Sequence, residues 1–387
     1  MKFYIQDPIF PMTYSLHEAL LAGCNDVKYG AGVFAFVTKG GVDLFLGDQV
    51  FENLIINKNG KFKLIVGIDE ITNTKTLQKL KEVLIKYGQS LEVLVFMHKH
   101  KNTTFHPKFT WFRKENGGVL IVGSNNLTEK GLRRNIEAFN YIEVDNAQID
   151  EIENYFNAWI ECNKQNLFSI DDEKVIERAK ENERVVTIRK KANRTDETDG
   201  ENGDENEELE ICTTNLTVEI EESTIDDEDF EAWDFADNNG VLVAQIPKSG
   251  SRWSQANFDK NTFQTFFGAQ AGHNGVYRIV LRSVNSNGKL GDLENRPSVS
   301  VASQNYRFEL ESAVGLTYPT TGRPIAVFIN VAVRMYVYIL AMPNDTFYSE
   351  LDAYINHLKG NKMVRYLTDV ADIKSKCPNL PLWNITQ

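Results

Sequence analysis

The sequence predicts two domains: an α/β sandwich with a mixed sheet and flanking helices, followed by a mainly-β open barrel with one or two helices. Three observations carry this. Up to about residue 155, apolar runs of strand length alternate with segments of helical spacing. From about Trp233, short apolar runs are separated by turn-forming clusters such as Asn285-Ser286-Asn287-Gly288. Between them, residues 196–234 hold 18 Asp or Glu and no Lys or Arg, a composition that builds no core.

In the first domain, Gly32 to Thr38, Phe62 to Gly67 and Leu91 to Met97 are apolar runs of strand length. Thr74 to Tyr87 places Leu77, Leu80, Val83, Leu84 and Tyr87 at helical spacing. Lys108 to Phe112 reads as an aromatic-rich strand, Glu115-Asn116-Gly117-Gly118 as a turn, and Val119 to Val122 as the returning strand. Asn135 to Val144 is a third strand, and Asp150 to Cys162 and Asp171 to Lys191 read as helices. In the second domain, strands are expected at Val241 to Ile246, Gly275 to Arg282, Ser298 to Ala302, Tyr306 to Leu310, Ile325 to Asn330 and Met335 to Leu340. Helices are expected at Thr262 to Phe267 and Tyr348 to His357.

The chemistry concentrates in one hairpin. Phe105-His106-Pro107-Lys108 is followed by Gly123-Ser124-Asn125-Asn126-Leu127-Thr128 and then by Asn135-Ile136-Glu137. Residues two apart on a strand share a face, so His106 and Lys108 point the same way and Pro107 the other. Proline lacks an N–H and belongs at a strand start or edge. The hairpin returns Ser124 and Asn126 towards His106. An imidazole can attack phosphorus through an unprotonated nitrogen. A lysine and amide donors stabilise charge on phosphoryl oxygens, and a carboxylate such as Glu137 can hold the ring in one tautomer. A lone His-x-Lys is commonly a pair of surface residues, and GSNNLT by itself could cap a helix. Their order and close spacing favour catalysis. His98 and His100, beside Lys99 and Lys101, read as a solvated basic loop; His17, His273 and His357 read as structural or surface residues.

This pattern resembles the phospholipase D superfamily, whose familiar form is HxK, four residues, Asp, then a GSxN turn. Arg113 stands where that Asp is expected. The variant without the Asp, with an N-I-E segment after the turn, resembles the phospholipase D-type restriction endonucleases. The resemblance implies that His106 is the nucleophile or acid, that Lys108 and Asn126 bind phosphate, and that Glu137 orients His106, with Ser124 a weaker carry-over. It implies hydrolysis through a covalent phosphohistidine without a metal or other cofactor. That chemistry needs two histidines on opposite sides of one phosphorus, and no second HxK precedes a GSxN in this chain. The resemblance therefore also implies a homodimer with one site across its two-fold axis.

Two polar loops of the second domain suggest base recognition. One runs through Lys248, Arg252, Trp253, Ser254, Gln255 and Asn257; the other carries Asn285, Asn287, Lys289 and Arg296. Arg and Lys read guanine, and Asn and Gln read adenine, in the major groove. Residues 230–355 resemble the plant B-three-like pseudobarrel attached to several phospholipase D-type restriction enzymes. The expected organisation is a nuclease domain at 1–160, a helical connector and acidic linker at 161–232, a recognition pseudobarrel at 233–356 and a tail at 357–387. The tail is expected to dock on the barrel or on a partner.

The formal net charge is −12, yet outside 196–234 the chain carries 36 acids against 42 bases. The acidity is local and leaves double-stranded DNA an acceptable partner. The linker reads as solvated chain, or as a nucleic-acid mimic (Asp196 to Glu210) that screens the site. Arg184, Arg189, Lys190, Lys191 and Arg194 form a basic run before it. Cys24, Cys162, Cys212 and Cys377 show no CxxC pairing, which favours a reducing cytoplasm over a zinc site. No apolar run approaches membrane-spanning length, the N-terminus shows no signal pattern, and no phosphate loop is present. Any ATP dependence would come from a helicase partner, as in some relatives of this architecture, and a methyltransferase is a further expected companion. The expected function is a sequence-specific DNA endonuclease for phage defence; the rivals are a lipid phosphodiesterase and a non-catalytic DNA-binding regulator.

Overall fold

The computed structural model describes residues 1–10, 13–69, 71–98, 103–184, 235–248, 253–269, 276–300, 306–359 and 363–386. The acidic segment, His100, Arg252 and His273, and the basic run beyond Arg184, lie outside them.

The N-terminal half is an α/β sandwich around one sheet. Its strands are β1 (Lys2–Gln6), β2 (Val27–Phe34), β3 (Lys61–Gly67), β4 (Leu91–Phe96), β5 (Lys108–Lys114), β6 (Gly118–Gly123), β7 (Glu137–Val144) and β8 (Leu167–Ser169). Among the described residues their order is β1-β7-β6-β5-β2-β3-β4-β8. The sheet is mixed: β2, β3 and β4 run parallel, and the other neighbours antiparallel. On one face lie α1 (Leu16–Gly23), α2 (Lys39–Phe45), α3 (Gln49–Glu52), α4 (Thr74–Tyr87) and α6 (residues 173–184). Leu20, Leu77, Leu80 and Ala179 bury there against Phe34, Leu64 and Phe112. On the other face α5 (Asn146–Cys162) packs Ile149 and Phe156 against Val33, Ile65 and Trp111. α4 spans the residues that its 3.6-residue spacing predicts, capped by the Asn73 side chain. β2 begins and ends earlier than its apolar run suggests, because residues 35–38 leave the sheet to meet Leu127.

The C-terminal half is mainly β. Strands β9 (Gly240–Gln245), β10 (Gln255–Phe258), β11 (Arg278–Val284), β12 (Leu290–Pro297), β13 (Val299–Ser300), β14 (Tyr306–Glu309), β15 (Ile325–Ala332), β16 (Met335–Ala341) and β17 (Arg365–Asp369) form two sheets among the described residues. The larger has the order β12-β11-β16-β15-β9-β17, the smaller β10-β14-β13. An aromatic core fills the space between them, including Trp253, Phe258, Phe308, Phe328 and Tyr338. The opposite face of the large sheet is covered by α8 (Tyr348–Tyr354), α9 (Val370–Lys376) and Leu382. Burial on both faces explains why β16 is a continuous apolar run. α7 (Lys260–Thr265) lies close to the expected helix. β12, by contrast, reads as a polar loop in the sequence because it is an edge strand, with weak alternation and a terminal proline. The tail docks on this domain: β17 pairs with β9.

The halves meet through buried charge. Ser15 caps α1, with Glu18 completing the capping box. The fully buried Glu18 carboxylate then accepts from Arg334 Nε at 2.7 Å, from Arg334 Nη2, from Arg133 Nη1 at 3.4 Å and from the backbone N–H of Arg278 at 3.2 Å. Arg278 also reaches Asp48 at 3.0 Å, and Asn295 donates to the same carboxylate at 2.7 Å. Val280, Ala332 and Met335 of the second domain join the first domain's core. Burial pushes the Glu18 carboxyl up, but the Arg334 and Arg133 charges outweigh it and hold it at about 2.

Glu18→Gln leaves two guanidinium groups buried without their counter-charge. The expected cost is about 3–5 kcal/mol, read by denaturant titration. Because the folded-state value lies below the usual 4.5, Glu18's contribution is complete above that pH and fades as pH falls towards about 2. Glu18→Gln should therefore flatten the acid limb of the stability curve.

Candidate active site

His106 lies on the chain just ahead of β5, whose first residue, Lys108, pairs with Phe34 at the end of β2. Lys108 Nζ is 2.8 Å from His106 Nε2 and 3.2 Å from the His106 carbonyl oxygen. Lys108 is only 9% exposed. Burial draws its ammonium down to about 8, opposed by the nearby Glu137 charge. An ammonium can only donate, so this contact suits the imidazole tautomer that carries its proton on Nδ1 and leaves Nε2 to accept. The Phe36 ring meets the imidazole edge-on at 6.0 Å.

The hairpin register, with Phe109 opposite Val122, returns Ser124 to this end of the sheet. Ser124 Oγ donates to Glu137 Oε2, and Asn135 Nδ2 donates to Glu137 Oε1 at 3.2 Å. Ser124 N–H also donates to Ala138 O at 3.0 Å. Neutral donors thus steady both carboxylate oxygens, and Ser124, the weaker expectation, acts directly on Glu137. Asn126 Oδ1 accepts from Phe36 N–H at 3.2 Å, which fixes the amide and orients its Nδ2 donors. Leu127 pairs with Val37. Phe36, Asn135 and Gln6 have no role assigned from the sequence, although Asn135 opens its N-I-E segment. Gln6 Nε2 donates to the carbonyls of Gly131 at 3.0 Å and Asn135 at 3.1 Å. The asparagine inside N-I-E was the one available signal among them.

Two glycines let the loop close. A Cβ on Gly41 would sit 1.9 Å from Leu127 O, and one on Gly131 would sit 2.5 Å from Asn126 O and 2.9 Å from Asn126 N. Arg113 plays no part here. It lies at the far end of β5, roughly 16 Å along the strand from Lys108, and ties α5 down through Glu153 (3.2 Å) and Asp150. A cavity of about 680 Å³ opens on the α5 side of His106, walled by Phe96, Phe105, Phe156 and Trp159, with His98 at its edge. His98 thus lines this cavity rather than a fully solvated loop. His17 is buried and accepts from Arg133 Nε at 3.0 Å, and His357 is exposed.

The two expected recognition loops fare unevenly. Trp253 is a core residue, its ring buried and its Nε1 donating to Leu316 O at 2.9 Å; aromatic burial in the inter-sheet core outweighs exposure. Gln255 and Asn257 belong to β10 rather than a loop, half-buried, with Ala256 and Phe258 turned into the core. Ser254 bonds Glu309 at 3.4 Å. Arg296 is held by Glu311 at 2.8 Å and Glu294 at 3.2 Å. It pairs with Ile279 near the start of β11, whereas the 285–289 turn follows its end, so the register separates them. Asn285 Oδ1 accepts from the N–H of Asn287 (2.9 Å) and Lys289 (3.0 Å), shaping its own turn. Lys248, Asn287 and Lys289 remain exposed.

Residues 45–160 match the family described as cardiolipin synthase, PLD-like domain, so the first domain carries a phospholipase D-like α/β fold. Similar solved structures include NucT from Helicobacter pylori, at 14% identity and a TM-score of 0.29, over 43% of this chain and 98% of that one. The N-terminal domain of Helicobacter pylori LlaJI.R1 is 16% identical, with a TM-score of 0.25, over 33% and 97% of the two chains. Nuc from Salmonella typhimurium is 12% identical, with a TM-score of 0.27, over 38% and 86%. No curated protein matches the chain. Among the described residues, no helix is long and apolar enough to cross a membrane.

Gly131→Ala should push Asn126 out of place while the sheet stays folded. Phosphodiester cleavage is expected to fall by about 10- to 100-fold with the circular dichroism spectrum unchanged; wild-type turnover would contradict the close approach.

Proposed function

We propose that this chain is a DNA endonuclease that cleaves phosphodiesters through a covalent phosphohistidine on His106. The observation that carries the reading is the 2.8 Å contact of Lys108 with His106 Nε2, next to the Ser124–Glu137 pair. In this reading Lys108 turns from Nε2 to the phosphoryl oxygens as the freed Nε2 lone pair attacks phosphorus, and Lys108 and the Asn126 amide stabilise the charge gathering on those oxygens. The leaving oxygen takes its proton from a second imidazole; that imidazole, now neutral, takes a proton from water as the water oxygen attacks phosphorus, breaks the P–N bond and frees the ring. These side chains supply the nucleophile and the charge, so the scheme invokes no metal.

The second imidazole is that of another copy, in a homodimer. Support comes from an apolar sheet face that α5 leaves uncovered beside Ser124. Phe3, Ile5 and Val122 are exposed there, and their cross-strand partners place them in adjoining rows with Asn140 and Ala138. Ile136, 69% exposed, borders them between Asn135 and Glu137. Sequence-specific reading of double-stranded DNA falls to the second domain, through exposed Lys248, Asn287 and Lys289 rather than through Trp253 or Arg296. Restriction of phage DNA in the cytoplasm, with a methyltransferase or an ATP-driven partner, belongs to the same proposal. The basic balance outside the acidic segment supports a nucleic-acid substrate.

One observation favours a second reading, a lipid phosphodiesterase: the aromatic cavity at His106 would admit an acyl chain.

Plasmid and phage DNA incubated in excess EDTA should give discrete fragments with wild type and none with His106→Ala. Release of choline from phosphatidylcholine vesicles without DNA cleavage would favour the lipid reading instead. Lys108 supplies a cation only while protonated, so kcat/KM should fall as pH rises through about 8. A profile flat to pH 10 would remove Lys108 from charge stabilisation.

A further inference from the structure

Residues 124–137 carry Ser124 and Asn126 at one end and Asn135 and Glu137 at the other. The middle of this loop is gripped by the second domain. Glu129, 1% exposed, receives Arg282 Nη2 from β11 at 3.0 Å. Four residues on, the fully buried Arg133 donates to Val333 O at 3.2 Å, and Val333 N–H returns a bond to Arg133 O at 3.2 Å. The Arg133 guanidinium shares the Glu18 carboxylate with Arg334 of the second domain. Residues 130–134 form a π-helical turn, closed by Asn135 N–H on Lys130 O at 2.8 Å. Thr128 Oγ1 and Asn125 Nδ2 each bond Gly131 at 2.8 Å. A shift at Glu129 or Arg133 therefore reaches Asn126 on one side and Glu137 on the other through short, mostly buried links.

We propose that Arg282 and Arg334 are positioning residues for the active site: the second domain clamps the 124–137 loop at Glu129 and Arg133 and so sets the separation of Asn126 and Glu137. This rests on the phosphodiesterase reading of that site. Neither arginine is placed at the reacting atoms; both act through carboxylates of the first domain. A buried Glu129 stripped of its cation swings towards water, which loosens the turn beside Asn126. Docking of the second domain then controls turnover as well as affinity, because the same residues bind the domains together and shape the loop.

Arg334 sits on a fully buried carboxylate, so its loss threatens folding. Arg282 is 17% exposed in its side chain and is the site to test. The full-length chain would carry Arg282→Met or Arg282→Lys, with bis(p-nitrophenyl) phosphate as a small diester that needs no contact with the second domain. For Arg282→Met, kcat is expected to drop about tenfold with KM nearly unchanged, and Arg282→Lys, which keeps the charge, should recover part of it. Hydrogen exchange should quicken in peptides from 124–137 and stay at wild-type rates in 61–96. Exchange at wild-type rates in the loop overturns the clamp. A loosened loop with unaltered kcat overturns the positioning role. If the wild type fails to hydrolyse the diester, the proposed reaction falls, while the exchange measurement still decides whether Arg282 holds the loop.

Discussion

The relation between the two halves turns on one buried carboxylate. Glu18 sits in the first turn of α1, where its own capping box already holds it against Ser15. It is then surrounded by Arg334, Arg133 and the backbone of Arg278. A carboxylate so enclosed would be costly without these partners, and a guanidinium so enclosed would be costly without it. Each half therefore completes the other's charge. Asp48 with Arg278, and Glu129 with Arg282, repeat the arrangement at smaller scale along the same boundary.

That boundary meets the proposed site through a short stretch of chain. The loop that follows β6 supplies Ser124 and Asn126, turns through a π-helical bend and re-enters the sheet at Glu137. Thr128 and Asn125 shape its turn locally through Gly131. The rest of its support comes from outside, from Phe36 on the Asn126 amide, Gln6 on the bend, Gly41 making room at Leu127, and the second domain at Glu129 and Arg133. Placing the proposed site at strand ends and bracing its loop from several sides is the kind of preorganisation that charge stabilisation would require.

The second domain shows how a polar sequence misleads. Its aromatic residues build a core between two sheets, and Trp253, attractive as a base-stacking side chain, is spent there. Arg296 neutralises carboxylates of its own neighbourhood. Arg and Trp are the types enriched at recognition surfaces and also the types that close a core or pair a buried acid. Composition cannot separate the two uses; burial does.

Much of the first domain is legible in the residues themselves. The 3.6-residue spacing of Leu77, Leu80, Val83 and Tyr87 marks α4, and two turn glycines between apolar runs mark the β5–β6 hairpin, because these are local properties of period and turn chemistry. The same local logic brings His106, Lys108, Ser124 and Asn126 to one end of that hairpin, since the register of a tight antiparallel turn follows from its length. The edge strands β10, β12 and β17 are not legible, because pairing on one side lets polar residues and proline persist. Nor are the bonding of Glu137 to Ser124 and Asn135, the support of Asn126 by Phe36, or the meeting of Glu18 with Arg334. Those partners are far apart in the chain or lie on elements whose approach is set by packing. Sequence alone determined which side chains could act on a phosphodiester and which strands carry them; tertiary structure decided which atoms meet, because long-range pairing of buried charge depends on how two separately patterned halves dock.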